Sequence, residues 1–231
     1  MLRQLSRGQR DHELARQLWQ TGFHEARILA SLVDELPLVT RAQMERWVLD
    51  FDSWDVCDQV CGNLFDRTPF AVDLALEWPA RPQGEFVRQA GFVLMAGLAL
   101  HDKGLPDSEF MKFFPLMVTY ATDQRNFVKK AVNWALRGIG KRNPALRSKA
   151  IETAQQIKAT YGSPTASWIA NEPKENWRKN KPDLIRLNDE LGRAWYNPGL
   201  LMEHLTHCCD NPAYQNLRRE SSREIPLINH P

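Results

Sequence analysis

Trp54 and Asp58 are residues whose types and spacing suggest chemistry. They stand four residues apart in "VLDFDSWDVCDQVCGNLF", residues 48–65, where the apolar spacing predicts the start of a helix. Residues four apart lie on one face of a helix, yet a buried face disfavours the carboxylate and a solvated face disfavours the indole. The pair therefore indicates the rim of a site for a flat cation, which an aromatic face attracts and a carboxylate stabilises. The alternative is that Trp54 packs at the rim and that Asp58 caps the helix or pairs with Arg88.

Two later helices place further polar groups beside apolar ones. Arg88 interrupts a helix that is apolar almost all round, and Lys129 occupies the same position in the helix from Phe127. Buried cations are rare without a partner, so Arg88 is expected to reach an acid or an anionic ligand. Trp134 lies where the cationic arc of its helix meets the apolar arc. Three helices thus offer an aromatic–acid pair, an arginine and an aromatic beside cations.

A local basic block adds a candidate surface for a polyanion. The chain has 30 Lys and Arg against 28 Asp and Glu, but residues 124–149 hold eight bases and no acid. Such a block suggests phosphate binding, although an ordinary solvated helix face is the alternative. The candidates for contacting DNA are Lys129, Lys130, Arg137, Lys141 and Arg142.

The elements that must position these residues are predicted to be helices. Apolar residues recur at three- and four-residue spacing over most of the chain, so the class is all-α. Thr40 and Ser53 are expected as helix N-caps, and Gly140 and Gly162 as helix ends. "FVRQAGFVLM" from Phe86 and "FVKKAVNWAL" from Phe127 repeat at an offset of 41 residues. This period predicts a HEAT-like solenoid with a concave, partly basic face. The expected inner helices span 22–34, 54–65, 86–99 and 127–139.

The domain prediction divides the chain near residue 170. Residues 1–170 are expected to form the repeat domain, and residues 171–231, rich in Asn and Pro, an irregular and partly disordered extension. The first repeat is expected to be incomplete, because "MLRQLSRGQRD" opens abruptly before the first clear helix.

Composition excludes several other classes. The longest apolar run, "GFVLMAGLAL" at residues 91–100, is shorter than a membrane span. The basic N-terminal stretch lacks the apolar core of a secretory signal. We expect a cytoplasmic monomer with no cofactor and no membrane partner. Cys57 and Cys61 could be combined with the "HLTHCC" stretch at 204–209 into a zinc site, but their place on an apolar arc favours core packing, so no metal is predicted.

Three stretches resemble a known family: "SWDVCDQVCGNLF", "EFVRQAGFVLMAGLALHDK" and "NFVKKAVNWALRGIGKRNPAL". They are similar to the bacterial DNA alkylation repair family, the AlkD-type alkylpurine DNA glycosylases built from HEAT-like repeats, over about Asp11 to Ile169. The resemblance implies hydrolysis of the N-glycosidic bond of cationic alkylated purines, such as 3-methyladenine and 7-methylguanine, in double-stranded DNA. It implies that Asp58 is the catalytic acid group and that Trp54, Arg88 and Trp134 complete the active site.

Two other functions remain open from the sequence. Some relatives with this fold have lost activity, so a catalytically silent DNA-binding solenoid is one alternative. A HEAT-type scaffold for protein interactions is the other. Family members also usually carry a further helix or two before the region where this chain begins, and residues after about 171 do not resemble the family.

Overall fold

The fold was examined in a computed structural model that describes residues 2–82 and 84–179. The described part of the chain contains α-helices and short 3-10 turns and no strand, which confirms the all-α prediction. The helices are α1 Leu2–Leu5, α2 His12–Gln20, α3 His24–Val33, α4 Arg41–Leu49, α5 Trp54–Asn63, α6 Ala71–Glu77, α7 Glu85–His101, α8 Asp107–Met111, α9 Phe114–Thr119, α10 Asn126–Gly140, α11 Pro144–Thr160 and α12 Pro164–Lys179. Single 3-10 turns cover Leu36–Leu38, Phe65–Arg67 and Trp78–Ala80.

Five helices form an inner row in which each packs against the next: α3, α5, α7, α10 and α12. Other helices pack against this row in sequence order, α2 against α3, α4 and α6 against α7, and α11 against both α10 and α12. Helices that stack on their neighbours in chain order are typical of a HEAT-like repeat. The four predicted inner helices match α3, α5, α7 and α10 to within a few residues at each end.

The inner helices are linked to one another near their N-terminal ends. His24, the first residue of α3, lies 2.8 Å from the Asp55 carboxylate in α5. The rings of Phe86 in α7 and Phe127 in α10 stack with centroids 5.9 Å apart. These two phenylalanines open the repeated sequence motif, so the 41-residue echo corresponds to two equivalent helices that contact each other directly.

Helix α7 lies at the centre of the core and is buried along most of its length. It packs against α5, α6 and α10, which explains why its sequence is apolar almost all round. Gly91 permits a close approach to the turn before α7, because a Cβ at this position would lie 2.5 Å from Cδ and 2.6 Å from Cγ of Pro79. Any larger residue would push α7 away from the turn that contains Pro79.

The predicted helix ends are confirmed. The Thr40 side chain accepts a hydrogen bond from the Gln43 amide at the start of α4, α10 ends at Gly140, and α11 ends two residues before Gly162. Ser53 occupies the N-cap position of α5, but its side chain makes no capping bond. Ser53 is thus the N-cap residue that the sequence predicted, but its hydroxyl is buried without a hydrogen-bond partner in the described part of the chain.

The C-terminal part of the repeat unit extends past the predicted boundary. Helix α12 runs from Pro164 to Lys179 and so crosses residue 170, and the first compact unit covers Met1–Lys179. Residues 180–231, including the "HLTHCC" stretch of the zinc alternative, lie outside the described residues.

Cys57 and Cys61 are free thiols buried in the core beneath α5. Burial raises the pKa of the Cys57 thiol well above its ordinary value, as expected for a cysteine that packs as a small apolar residue. In the described residues no group of three or more His, Cys, Asp or Glu side chains is arranged to hold a metal ion. Nor does any described helix combine the length and apolarity needed to cross a membrane.

Candidate active site

The N-terminal turn of α5 carries the predicted aromatic–acid pair. Trp54 and Asp58 are both half-buried and lie one turn apart. The buried side-chain amide of Gln89 in α7 donates a hydrogen bond to Asp58 Oδ1 at 2.9 Å and to the Trp54 carbonyl at 3.4 Å. One amide of α7 thus fixes both the carboxyl and the backbone of the turn beside it. The sequence analysis did not identify this role of Gln89.

The Asp58 carboxyl is in an environment that disfavours its charge. Although part of the residue reaches the surface, dense protein packing around the carboxyl raises its pKa to about 7. The hydrogen bond from Gln89 acts in the opposite direction, and the negative charge of Asp55 adds to the increase. Among the described residues no Lys, Arg or His forms an ion pair with Asp58. A carboxyl of this kind titrates near neutral pH, as acids at functional sites often do.

Arg88 does not pair with Asp58, so the alternative prediction of an ion pair between these two residues is wrong. Its guanidinium forms an ion pair with Asp123 at 2.8 Å, donates from Nε to the Pro79 carbonyl at 2.8 Å, and lies 4.4 Å from the centre of the Tyr120 ring. The expectation that Arg88 reaches an acid is confirmed, but the sequence pattern did not identify Asp123 as that acid.

Asp123 in turn is shared between two arginines. Arg125 donates to it from its backbone amide at 3.1 Å, from Nε at 2.9 Å and from Nη2 at 2.5 Å. Burial alone would raise the pKa of Asp123, but the hydrogen bonds from Arg125 and Arg88 lower it to about 2. Glu85 also lies near, because it raises the pKa of Arg125 through its charge and accepts a hydrogen bond from the Phe127 amide.

Trp134 is half-buried and packs against the core from α10. The sequence-predicted quartet therefore lies on three helices that pack in order, with Trp54 and Asp58 on α5, Arg88 on α7 and Trp134 on α10. The hydrogen bonds among the described residues do not join these four side chains directly. Asp58 is tied to α7 through Gln89, and Arg88 is tied to the segment before α10 through Asp123.

The candidates for DNA contact in the basic block differ in their surroundings. Lys130 is exposed, and the ammonium of Lys129 lies 5.9 Å from the centre of the Trp168 ring in α12. Partial desolvation and the charge of Arg137 lower the pKa of Lys141, although the residue as a whole is exposed.

Arg142 differs from the other four candidates for DNA contact. Its guanidinium donates to the backbone carbonyls of Ala99, Asp102 and Leu105 and lies 4.3 Å from the centre of the Phe110 ring. These bonds fasten the end of α10 to the loop after α7. We therefore assign Arg142 to the fold and leave it out of the proposed DNA surface.

Comparison with known proteins bears on the family and the fold of this chain. The sequence profile of DNA alkylation repair enzymes matches residues 1–168. No curated protein matches the chain. A solved structure is similar with a TM-score of 0.57 and 21% sequence identity, over 64% of this chain and 63% of the other. It is described as "a new family of proteins related to the HEAT-like repeat DNA glycosylases with affinity for branched DNA structures". This likeness confirms the HEAT-like fold. The matched part of this chain spans less than two thirds of the other protein.

Proposed function

The chain belongs to the DNA alkylation repair enzyme family, and from this premise we propose that it is a DNA glycosylase. The proposed substrate is a cationic alkylated purine in duplex DNA, such as 3-methyladenine or 7-methylguanine. The proposed reaction is hydrolysis of the N-glycosidic bond. The observation that carries the proposal is Asp58, a half-buried carboxyl with a pKa near 7 and no cationic partner among the described residues.

The electrostatic state of Asp58 suits a positively charged ligand. A cation that approaches a desolvated carboxyl lowers its pKa, because the charged form gains a partner that burial had denied it. An alkylated purine nucleotide would therefore ionise Asp58 as it binds. A lysine or arginine already in place would have neutralised the carboxylate and removed this preference. The site is thus suited to a charge that arrives with the substrate.

The proposed chemistry needs little besides this carboxylate. The alkylated purine carries a positive charge, so when the bond from C1′ to the ring nitrogen breaks, the electron pair leaves with the base and the base departs neutral. Positive charge then develops on the sugar, which Asp58 stabilises. A water molecule bonds to C1′ and gives its proton to the Asp58 carboxylate, which passes it to solvent. No general acid is required to protonate the leaving base.

The aromatic and basic residues have supporting roles in the proposal. Trp54 presents an indole one turn from Asp58, and Trp134 presents a second on α10, so both can interact with a cationic nucleoside through their π faces. Lys129, Lys130, Arg137 and Lys141 share α10 and the residue after it, where they would neutralise backbone phosphates.

A base-release assay on methylated duplex DNA tests the proposal. We expect 7-methylguanine or 3-methyladenine to be released in excess over buffer, with strand breaks appearing at the abasic sites on heating. The assay should use enzyme in excess over DNA, so that slow turnover does not hide a single round of excision. Absence of release under these conditions would contradict the glycosylase assignment.

A catalytically silent DNA-binding protein is the second candidate function. The solved structure reported above favours it, because that protein is described as having affinity for branched DNA. Binding of a four-way junction by this chain more tightly than a linear duplex, together with no base release, would support this candidate over the first.

A further inference from the structure

The guanidinium of Arg88, which forms an ion pair with Asp123, is restrained more fully than a stabilising salt bridge requires. Arg88 is held from three sides, by the Pro79 carbonyl at Nε, by Asp123 at Nη1, and by the Tyr120 ring over its plane. Within the described part of the chain, its remaining nitrogen, Nη2, donates to no group. The guanidinium is therefore fixed in place with its Nη2 amino group left for a ligand.

Arg125 shows the same pattern beside it. Its Nε and Nη2 both donate to Asp123, while its Nη1 donates to no group in the described residues. The Asp123 carboxylate thus accepts hydrogen bonds from both guanidiniums, and only 8% of its side chain is exposed. A carboxylate at this position offsets the cost of burying the arginines and fixes the direction of their unused N–H groups.

Simple charge attraction does not explain why this cluster would bind an anion. The two arginines are balanced by Asp123 and by nearby Glu85. Recognition would instead come from the direction of the free N–H groups, since guanidinium bonds to phosphate depend on planar geometry. Surplus positive charge is supplied by Lys129 and Lys130, which follow in the first turns of α10.

We infer that Asp123 is a positioning residue that holds Arg88 with Nη2 directed at a backbone phosphate of DNA bound beside Asp58. The inference rests on the proposed function in that it takes DNA as the ligand, but it does not require base release. Arg88 and Gln89 are consecutive in α7, so the phosphate contact and the Asp58 carboxyl are fixed by neighbouring residues of one helix.

The test is whether removing the negative charge of Asp123 tightens or weakens the binding of DNA. Asp123→Asn removes a negative charge, and general electrostatics predicts that this change tightens the binding of DNA. Our inference predicts weaker binding, because Arg88 loses the group that orients it. Asp52 offers a matched control: it also pairs with an arginine, Arg27, at 2.9 Å, but 64% of its side chain is exposed. Asp52→Asn should leave binding unchanged or slightly tighter.

The measurement is the affinity for a labelled, unmodified DNA duplex over a range of salt concentrations. Arg88→Met and Asp123→Asn should each lower the slope of log K against log salt by roughly 0.9, the value for one phosphate contact. The double variant should bind no worse than Arg88→Met alone, because both changes remove the same contact. Additive losses, or tighter binding by Asp123→Asn, would overturn the inference.

A second measurement serves if Asp123→Asn does not fold. In the wild-type protein with ¹⁵N-labelled arginine, the Arg88 guanidinium should show restricted rotation before DNA is added and a shifted Nη resonance afterwards. Arg88→Met assigns the signal. Free rotation in both states would show that Arg88 is not held, and the inference would fail. Because no readout here involves excision, a protein that binds in this way but releases no base would refute only the proposed glycosylase activity.

Discussion

Asp58 and Asp123 both contact helix α7, at consecutive residues, yet their partners differ in charge. Asp58 accepts a hydrogen bond from the neutral amide of Gln89, and its pKa rises to about 7. Asp123 pairs with the guanidinium of Arg88, and its pKa falls to about 2. Burial opposes the charge of both acids, so the outcome depends on the partner, which is a neutral amide for Asp58 and the two guanidiniums of Arg125 and Arg88 for Asp123.

This difference separates a reactive acid from a structural one. An acid that is already neutralised by a fixed cation has little to offer a cationic substrate, whereas an acid held by an amide keeps its position and remains free to respond to charge. Two carboxylates of the same chemical type thus take different roles, because one meets only a neutral amide and the other meets two guanidiniums. Three predictions follow from the contrast, in order of expected effect.

The largest effect is expected for Asp58→Asn in base excision. Asn keeps the size of Asp and an oxygen that accepts from Gln89, so only the charge is lost. Removing one well-placed electrostatic stabiliser costs roughly 10²–10³ in rate. The loss should appear in kcat with Kd nearly constant, because the sugar is most positive in the transition state. Single-turnover release from methylated duplex DNA is the measurement.

Two further variants serve as controls for the loss of excision by Asp58→Asn. Cys57→Ala, a change of a buried neighbour on the same helix, should leave excision per folded molecule intact. Asp123→Asn should change DNA binding more than the rate of bond cleavage. If Asp58→Asn retained full excision, the two acids would not differ in the way that their surroundings indicate.

The second effect is on the pH dependence of excision. The ionised form of Asp58 is the active one in the proposed reaction, so kcat/KM should fall about tenfold for each pH unit below the pKa of the free protein, which lies near 7. Gln89→Leu removes the hydrogen bond that lowers this pKa, and should move the inflection to higher pH. Asp123 cannot contribute, because a pKa of about 2 keeps it ionised throughout this range. A flat profile over roughly pH 5 to 9 would refute the role of Asp58 as the titrating group.

The smallest effect is on thermal stability, where the two acids should have opposite signs. The folded protein holds a proton on Asp58 up to about pH 7, while the unfolded chain loses it near its ordinary value of 3.8. Stability therefore falls as the pH rises between these values. Asp58→Asn should raise the melting temperature at about pH 8 and change it little at about pH 4, with roughly 2–4 °C for each kcal/mol.

Asp123 has the reverse linkage. Its folded pKa lies below the ordinary value, so its contribution to stability is complete above about pH 4 and is lost as the pH falls through about 2. Asp123→Asn should lower the melting temperature at both pH 5 and pH 8 by a similar amount, in roughly the range where one partner of a buried ion pair is lost. Scanning calorimetry of Asp58→Asn at about pH 4 and 8, and of Asp123→Asn at about pH 5 and 8, makes the comparison. If both variants changed the melting temperature in the same direction at about pH 8, the opposite linkage of the two acids would be contradicted.

The sequence alone predicted the helical framework better than the contacts within the site. Apolar spacing identified α3, α5, α7 and α10, because a 3.6-residue period depends only on local sequence. The motif echo at Phe86 and Phe127 correctly indicated equivalent helices. Spacing of four residues also correctly placed Trp54 and Asp58 on one face of α5, since this follows from helix geometry.

The partners of the charged groups could not be predicted in the same way. Asp58 and Gln89 are 31 residues apart, and Arg88 and Asp123 are 35 apart. These distances are set by how helices stack, which no local pattern reports. Arg142 shows the same limit: its charge suggested a phosphate contact, but its position at the end of α10 brings it to three backbone carbonyls. A signal was present for Gln89, because a buried amide in an apolar helix requires a partner.

Gly91 links the anchoring of Arg88 to the evolution of the sequence. The Pro79 carbonyl can accept from Arg88 because α7 approaches the turn closely, and that approach leaves no room for a Cβ at position 91. A lineage that keeps this anchor must therefore keep glycine there or replace Pro79 at the same time. Substitutions at 79 and 91 should be epistatic, so this pair of positions offers a diagnostic for reading new sequences. It would separate chains that hold the arginine in place from chains that only carry an arginine at that position.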